Sequence, residues 1–419
     1  MKELHIYYEM HRVGTFLQDE DLIHTFQYHP SWLQNPNRFP LSLAIPLRDE
    51  PFGNKITLSF FENLLPEGNI LDKIRSSQHV GGPFDFLAHY GADCAGAISI
   101  LPPGHEPVVS NSETIKKIDM NLIYDAIESK SSVASALAEE NVYLSLAGAQ
   151  DKFAAIERNG EIYLPIDGAP TTHIIKIPIH HSKIKDSVYN ENFCLELSAA
   201  VGMPTAKSKI LEGPHPLLVV ERYDRYVDAK GIHHRLHQQD FCQAQGILSE
   251  SKYENKGGPT LKHNYDLLAA TLPVKTRFKS LELFLKWLSF NLLIGNHDSH
   301  SKNLSFLLTT KGQELAPFYD LLATTIYPQL TSNFSFKIGD RDKFSQIGKK
   351  QIENQEAIFG IKKNTLLSQI IDMDKKINTT APLLMDRMKT KFPEITVFDR
   401  IDEELASRRK SLRIQGVPL

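Results

Sequence analysis

The chain has 419 residues, a formal net charge of -3 and a sequence pI of about 6.6, a balance that excludes nucleic-acid binding by bulk electrostatics. Hydrophobic residues make up 41% and charged residues 23%, ordinary values for a globular chain long enough to bury large cores in more than one domain. Cys94, Cys194 and Cys242 lie far apart without metal-type spacing, which excludes a disulfide framework and fits a reducing cytoplasm, each thiol serving as a small buried hydrophobe.

The run from Met1 to Tyr8 lacks the apolar core of a signal peptide, and no stretch approaches the ~20 apolar residues of a membrane span, so a cytoplasmic protein with no membrane partner is expected. Residues 4–8 and 12–16 are predicted as strands around a polar turn, and 41–47 as a further strand, because serine alternates there with apolar residues. Residues 56–65 predict a helix with Phe60, Phe61, Leu64 and Leu65 on its apolar face, stopped at Pro66 and Gly68. A short helix at 83–90 and a strand at 95–101 follow, then a Pro- and Gly-rich linker at 102–107. Residues 113–117, 120–127 and 132–139 read as polar helical material.

Beyond Val142 the texture changes. Strands are predicted at 142–146, 153–157, 162–165 and 173–179, a helix at 190–201, and strands at 207–211 and 216–223. After Gln239 helices are expected at 240–248, 264–270, 281–294 and from 365 onward, with a short strand at 304–309. This order implies an α+β, two-lobed protein with a cleft, a β-rich N-terminal part and an all-α C-terminal lobe, divided as 1–106, 107–238 and 239–419. Arg408, Arg409, Lys410 and Arg413 are one candidate for a local basic patch, but read first as a solvated helix end that complements the helix dipole.

Chemistry concentrates in Gly295-Asn296-His297-Asp298-Ser299-His300-Ser301-Lys302-Asn303, between a buried helix and a strand, and in Asp320 after a short hairpin. Phosphoryl transfer needs one carboxylate to accept the proton of the attacking hydroxyl. It also needs an asparagine and a second carboxylate to hold Mg2+ on the nucleotide phosphates. The order Asp298, Asn303, Asp320 has the spacing of a protein-kinase catalytic loop and metal loop, although no His-Arg-Asp precedes it and no Phe-Gly follows. Lys176, on a β-branched strand, suits the lysine that holds the α- and β-phosphates of ATP, with Glu191 as its helix partner. Residues 217–223 suit an interlobe hinge offering backbone groups to adenine. Ala147, Gly148, Ala149, Gln150, Asp151 and Lys152 fit a phosphate-covering loop, with Ser145 just before it. Each element alone is weak; Lys176 alone reads as an edge-strand lysine, and their order along one chain raises the signal. His297 and His300 flank Asp298 and raise the rival of a transition-metal hydrolase, but their spacing is not that of a helical zinc pair. His180, His181, His233 and His234 are expected in loops.

With these residues aligned, nearly the whole chain resembles the HipA family of kinase toxins from bacterial HipBA toxin–antitoxin modules. The N-terminal part does so in Arg12-Val13-Gly14, the run from Pro40 to Leu47, the run from Phe60 to Pro66, and the run from Pro83 to Leu87. The core does so in the run from Leu146 to Lys152, Thr172 to Pro178, Val220 to Arg225, Asp298 to Asn303 and Pro317 to Asp320. The resemblance implies a fold akin to protein kinases and phosphoinositide kinases, and transfer of the ATP γ-phosphoryl group to a protein serine or threonine. Its best-known target is an aminoacyl-tRNA synthetase, whose inactivation halts translation and favours dormancy. It further implies Asp298 as catalytic base, His300 beside the phosphates, Asn303 and Asp320 on Mg2+, and Lys176 on the phosphates. Glu221 and Tyr223 then fall at the hinge, Gln238 and Tyr319 in the nucleotide pocket, and Ser145 at the inhibitory autophosphorylation position. A phosphate there would add about -1.5 to -2 charge beside the nucleotide loop. The implied partner is a HipB-like helix-turn-helix antitoxin, with operator DNA reached only through that complex. Ser299 replaces the family's usual glycine and Leu321 an isoleucine; neither change removes a functional group. Two readings from other classes remain: a nucleotide-binding co-repressor scaffold, and a kinase for a small molecule or lipid head group.

Overall fold

A computed structural model of the chain describes residues 1–108, 114–138, 150–166, 168–179, 183–229, 232–309 and 312–419. It forms an α+β protein of two compact units, each discontinuous in sequence. The first comprises Met1–Ile177, Leu211–Ser249 and Leu307–Thr309; the second comprises Pro178–Ile210, Glu250–Phe306 and Thr310–Leu419. The compact units therefore follow the chain differently from the division 1–106, 107–238 and 239–419. The helix Ser187–Ala200 shows why: Tyr189 and Phe193 on it pack on Phe392 and Phe398 of the C-terminal helices, so its segment clusters with them.

The first unit opens with an antiparallel sheet in which Lys2–Tyr8 lies between His11–Gln18 and Ile98–Leu101, with His24–Tyr28 outermost. Alternation puts Leu4, Ile6, Phe16 and Phe26 inside, and the register shift opposite Ile6 and Tyr7 buries Val13 as well; this core includes Phe60 and Phe61 of the helix Asn54–Phe61. Phe16 stacks on Phe61 at 4.2 Å. The stretch 41–47 is a turn and not the expected strand: Ser42 and Ile45 make an isolated bridge, and Pro40 and Pro46 supply no amide hydrogens. The Tyr28 hydroxyl fixes that turn, donating to the Ile45 carbonyl at 2.6 Å and accepting from the Leu41 amide at 2.8 Å.

The second sheet of this unit runs Ile115–Lys117, Glu161–Pro165, Lys152–Arg158, His173–Lys176 and Leu217–Glu221 in spatial order. Residues 115–117, expected as helix, are recruited as its edge strand against Pro165, Leu164 and Tyr163, since tertiary pairing overrides the polar local pattern. His233–Arg235 is likewise a strand and not a loop; it pairs with Arg225–Val227. His180 and His181 lie outside the described residues.

In the second unit the 21-residue helix Val274–Ile294 buries Phe284, Trp287, Phe290 and Leu293. Around it lie Leu261–Thr271, Lys349–Phe359, Thr365–Lys391 and Val397–Ile414. The region is not wholly helical: Asn333–Ile338 and Arg341–Lys343 form a hairpin whose Phe334 and Phe336 are buried. Cys94, Cys194 and Cys242 are buried thiols outside any disulfide. Among the described residues no helix is long and apolar enough to cross a membrane.

Candidate active site

The catalytic-type residues of the second unit stand on one tightly tied loop. The helix Val274–Ile294 ends at Gly295, whose φ of 76° is left-handed. A Cβ at Gly295 would lie 2.1 Å from Thr325 Oγ1, so only glycine fits. Asn296 Oδ1 then accepts from the Asp298 amide at 3.2 Å, and the Asp298 carbonyl accepts from the His300 amide at 2.9 Å. Asn303 closes the loop: its Nδ2 donates to the Asp298 carbonyl at 3.0 Å. The loop thus brings Asp298, His300 and Asn303 together, the last two almost fully buried. Ser301, between them, exchanges hydrogen bonds with Asn264 at 3.0 and 3.2 Å.

Asp320 enters from a second segment. Phe318 is pinned by its amide to the Pro204 carbonyl at 2.8 Å and by its carbonyl to the Ala206 amide at 2.9 Å. Asn190 holds both polar backbone groups of Ala323, at 2.9 and 3.0 Å. Between these anchors Asp320 adopts a φ of 57°, a left-handed conformation that costs a non-glycine residue about 1–2 kcal/mol. The Tyr319 hydroxyl donates to the Lys302 carbonyl at 2.6 Å and lies 2.7 Å from Ser305 Oγ, so its phenol braces the same loop. Asn303 and Asp320 are hard oxygen donors of the kind Mg2+ prefers. The Asn303 amide nitrogen is committed to Asp298, which turns its carbonyl oxygen into the end that suits a cation.

His297 has no part in such chemistry. Its ring packs on Phe334 at 4.0 Å, and both Arg408 terminal nitrogens approach its Nε2 at 3.4 Å. Burial, then the Arg408 charge, pushes its pKa down to about 3. A guanidinium at the imidazole nitrogen opposes a metal ion there, which counts against the transition-metal rival; among the described residues no three His, Cys, Asp or Glu gather to bind one. Arg408 is not a solvated helix end either: it is 3% exposed and donates to the Leu292 carbonyl at 2.8 Å.

In the first unit Lys176 lies on a central strand, not an edge. It pairs with Lys152 on one side and Leu218 on the other and is 6% exposed. Lys152 and Lys176 sit directly opposite, so their side chains leave the same face, an arrangement that is destabilising unless anions lie near both. Glu191, its expected partner, is buried on the helix Ser187–Ala200 of the second unit. Gln150 Nε2 donates to the Ile177 carbonyl at 2.9 Å, and the Asp151 carboxylate accepts from the Val133 amide at 2.9 Å. These bonds anchor the chain where it enters the Lys152 strand. Ser145, Ala147, Gly148 and Ala149 lie outside the described residues.

At the strand Leu217–Glu221, Glu221 is exposed, and the Tyr223 hydroxyl donates to Gln238 Oε1, which joins two of the sequence-derived pocket residues. Sequence reasoning missed what lies beneath. Asp93 accepts from Arg225 Nη2 at 2.9 Å, Arg235 Nε at 3.1 Å, Arg222 Nη1 at 3.3 Å and Thr171 Oγ1 at 2.6 Å, while Arg222 also grips Asp224 at 2.9 Å. Burial pushes the Asp93 carboxyl up, but Arg225, Arg222 and Arg235 outweigh it and hold the group well below the usual range. Also missed was Tyr253, whose hydroxyl donates to Asp298 Oδ1 at 2.7 Å; the signal was the Gly257-Gly258-Pro259 turn that follows it.

The chain is similar to known proteins over most of its length. The sequence model for the HipA N-terminal domain matches residues 4–101, and that for the HipA-like C-terminal domain matches residues 144–381. A Sinorhizobium fredii (strain NBRC 101917 / NGR234) protein named as kinase Y4mE is 38% identical over 355 residues, 81% of this chain and 82% of that protein. The serine/threonine-protein kinase toxin HipA of Shewanella oneidensis (strain MR-1) is 30% identical over 363 residues, 84% of this chain and 81% of that protein. The solved Shewanella oneidensis MR-1 complex of HipA, HipB and operator DNA superposes with a TM-score of 0.80 at 25% identity, over 98% of this chain and 96% of that chain. By fold and relatives the chain falls among proteins named as kinases. The chain belongs to the HipA family.

Proposed function

We propose that the chain is an ATP- and Mg2+-dependent serine/threonine protein kinase and the toxin of a toxin–antitoxin pair, held in check in the cytoplasm by a HipB-like helix-turn-helix antitoxin. The reading rests above all on the second-unit loops, where Asp298 and Asn303 are tied together and Asp320 is held in a left-handed conformation. Asp298 accepts the proton of the substrate hydroxyl. The bond from that oxygen to the γ-phosphorus forms, the bond to the β,γ-bridging oxygen breaks, and ADP leaves with the electron pair. Asn303 and Asp320 hold Mg2+, which neutralises charge on the phosphates when bound. By family resemblance Lys176, Lys152 and Gln150, with Ala147, Gly148 and Ala149, are assigned to the phosphates, and Glu221, Tyr223, Gln238 and Tyr319 to the nucleotide. His300 stands beside the phosphates.

The protein target is assigned by family to the translation apparatus, an aminoacyl-tRNA synthetase being the first to test. Operator DNA is contacted only with the antitoxin, by analogy with the Shewanella oneidensis relative solved together with HipB and its operator. Ser145 is the autophosphorylation position, where an added dianion repels the nucleotide phosphates. Incubation with γ-labelled ATP and Mg2+ tests the whole reading: label appears at Ser145, and Asp298→Asn lowers the rate roughly 10²–10⁴-fold. An Asp298→Asn protein that labels itself at the wild-type rate removes the base assignment.

A further inference from the structure

The base proposed above is not held by its own loop alone. The loop fixes the Asp298 backbone through Asn296, His300 and Asn303. Tyr253 reaches the side chain: its hydroxyl donates to Oδ1 at 2.7 Å. The phenol ring is itself fixed. It stands edge-on to His300, with centroids 5.1 Å apart and an interplanar angle of 81°. The Lys252 and Lys256 ammoniums lie 5.3 and 5.4 Å from its centroid. The turn behind it is equally constrained. The Tyr253 carbonyl accepts from the amides of Lys256 and Gly258, both at 3.0 Å, and a Cβ at Gly258 would lie 2.0 Å from the Ser251 carbonyl oxygen.

We infer that Tyr253 is a positioning residue for phosphoryl transfer: its hydroxyl holds Asp298 Oδ1 and thereby orients the carboxylate toward the substrate hydroxyl. This rests on Asp298 being the base. His300, Lys252 and Lys256 are the titratable groups that face the phenol, and a Tyr253→Phe change leaves all three in place. An edge-on ring and a cation–ring contact need no hydroxyl.

The test is self-labelling of the full chain with γ-labelled ATP and Mg2+, read as maximal rate and half-saturating ATP. Tyr253→Phe is expected to lower the maximal rate about tenfold and leave half-saturating ATP unchanged. Gly258→Ala, which displaces the turn but keeps the hydroxyl, is expected to lower the maximal rate in the same way, again with half-saturating ATP unchanged. Thermal melting and ATP titration of each variant separate these effects from loss of fold. A Tyr253→Phe protein with wild-type maximal rate overturns the inference while Asp298→Asn remains slow. A raised half-saturating ATP at wild-type maximal rate overturns it in favour of a nucleotide-site role. Complete loss of labelling with ATP still bound makes Tyr253 itself the proton carrier and also overturns it. If Asp298→Asn labels normally, the base assignment fails first, and the two failures are distinct.

Discussion

At the residue scale, two buried histidines set a pH limit on the fold. His297 has its pKa lowered to about 3, and His237 to about 4 chiefly by burial, its Nε2 donating to the Leu41 carbonyl at 2.8 Å. Both are neutral when folded and charge on unfolding below about pH 6.5. A lowered histidine pKa contributes stability that is fully present above the unfolded value and is lost as pH falls toward the folded one. The window is therefore roughly pH 6.5 down to 4 for His237 and to 3 for His297. Protonation of the unfolded chain at pH 5 costs about 2 kcal/mol per residue. Urea melts at pH 7.5 and pH 5 measure it, and His297→Phe flattens part of the difference. Wild-type stability that does not change between those pH values would show both rings charged in the fold.

At the element scale the Gly295 stop aims the Asp298 loop, so Gly295→Ala is expected to cost about 1–3 kcal/mol of stability. Self-labelling should fall with it, because the added Cβ cannot stay 2.1 Å from Thr325 Oγ1. Urea denaturation and labelling of the same preparation read both effects; unchanged values in both would remove the helix stop from the site's support. The elements that position the site were the most legible in sequence. The helix ending at Ile294 and the strands around Ile175 and Val219 carry strong periodicity or β-branched runs. Elements defined by partners were not legible. Residues 115–117 become strand through Glu161–Pro165, and 41–47 become a turn through the Tyr28 hydroxyl. The same division runs through the site. Asp298, Asn303 and Lys176 stand in recognisable strings, whereas Tyr253 acts across 45 residues and its motif carries no charge pattern of its own.

At the scale of the whole molecule, the region matched by the HipA N-terminal model and the core of the first unit share one buried ion network. Asp93, Cys94 and Gly96 come from the former, and Thr171, Arg222, Asp224, Arg225 and Arg235 from the latter. Three guanidiniums meet two carboxylates with almost no solvent access, so the network is satisfied only while Asp93 is ionised. Its depressed pKa contributes stability that is present above about pH 4 and is lost only as pH falls below that. Asp93→Asn keeps the size and one acceptor but raises the buried excess of positive charge from one to two. Removing one partner of a buried ion cluster costs about 3–5 kcal/mol, far more than the net value of the cluster itself. The expected result is a loss of that size in urea unfolding at pH 7.5. Asp93→Asn combined with Arg235→Met, which removes one cation as well, should recover part of it. A double variant no better than Asp93→Asn alone would show that the loss comes from the missing hydrogen bonds and not from unbalanced charge. In that case the contact between the N-terminal region and the core is held by Thr171 and backbone acceptors, and not by its ions.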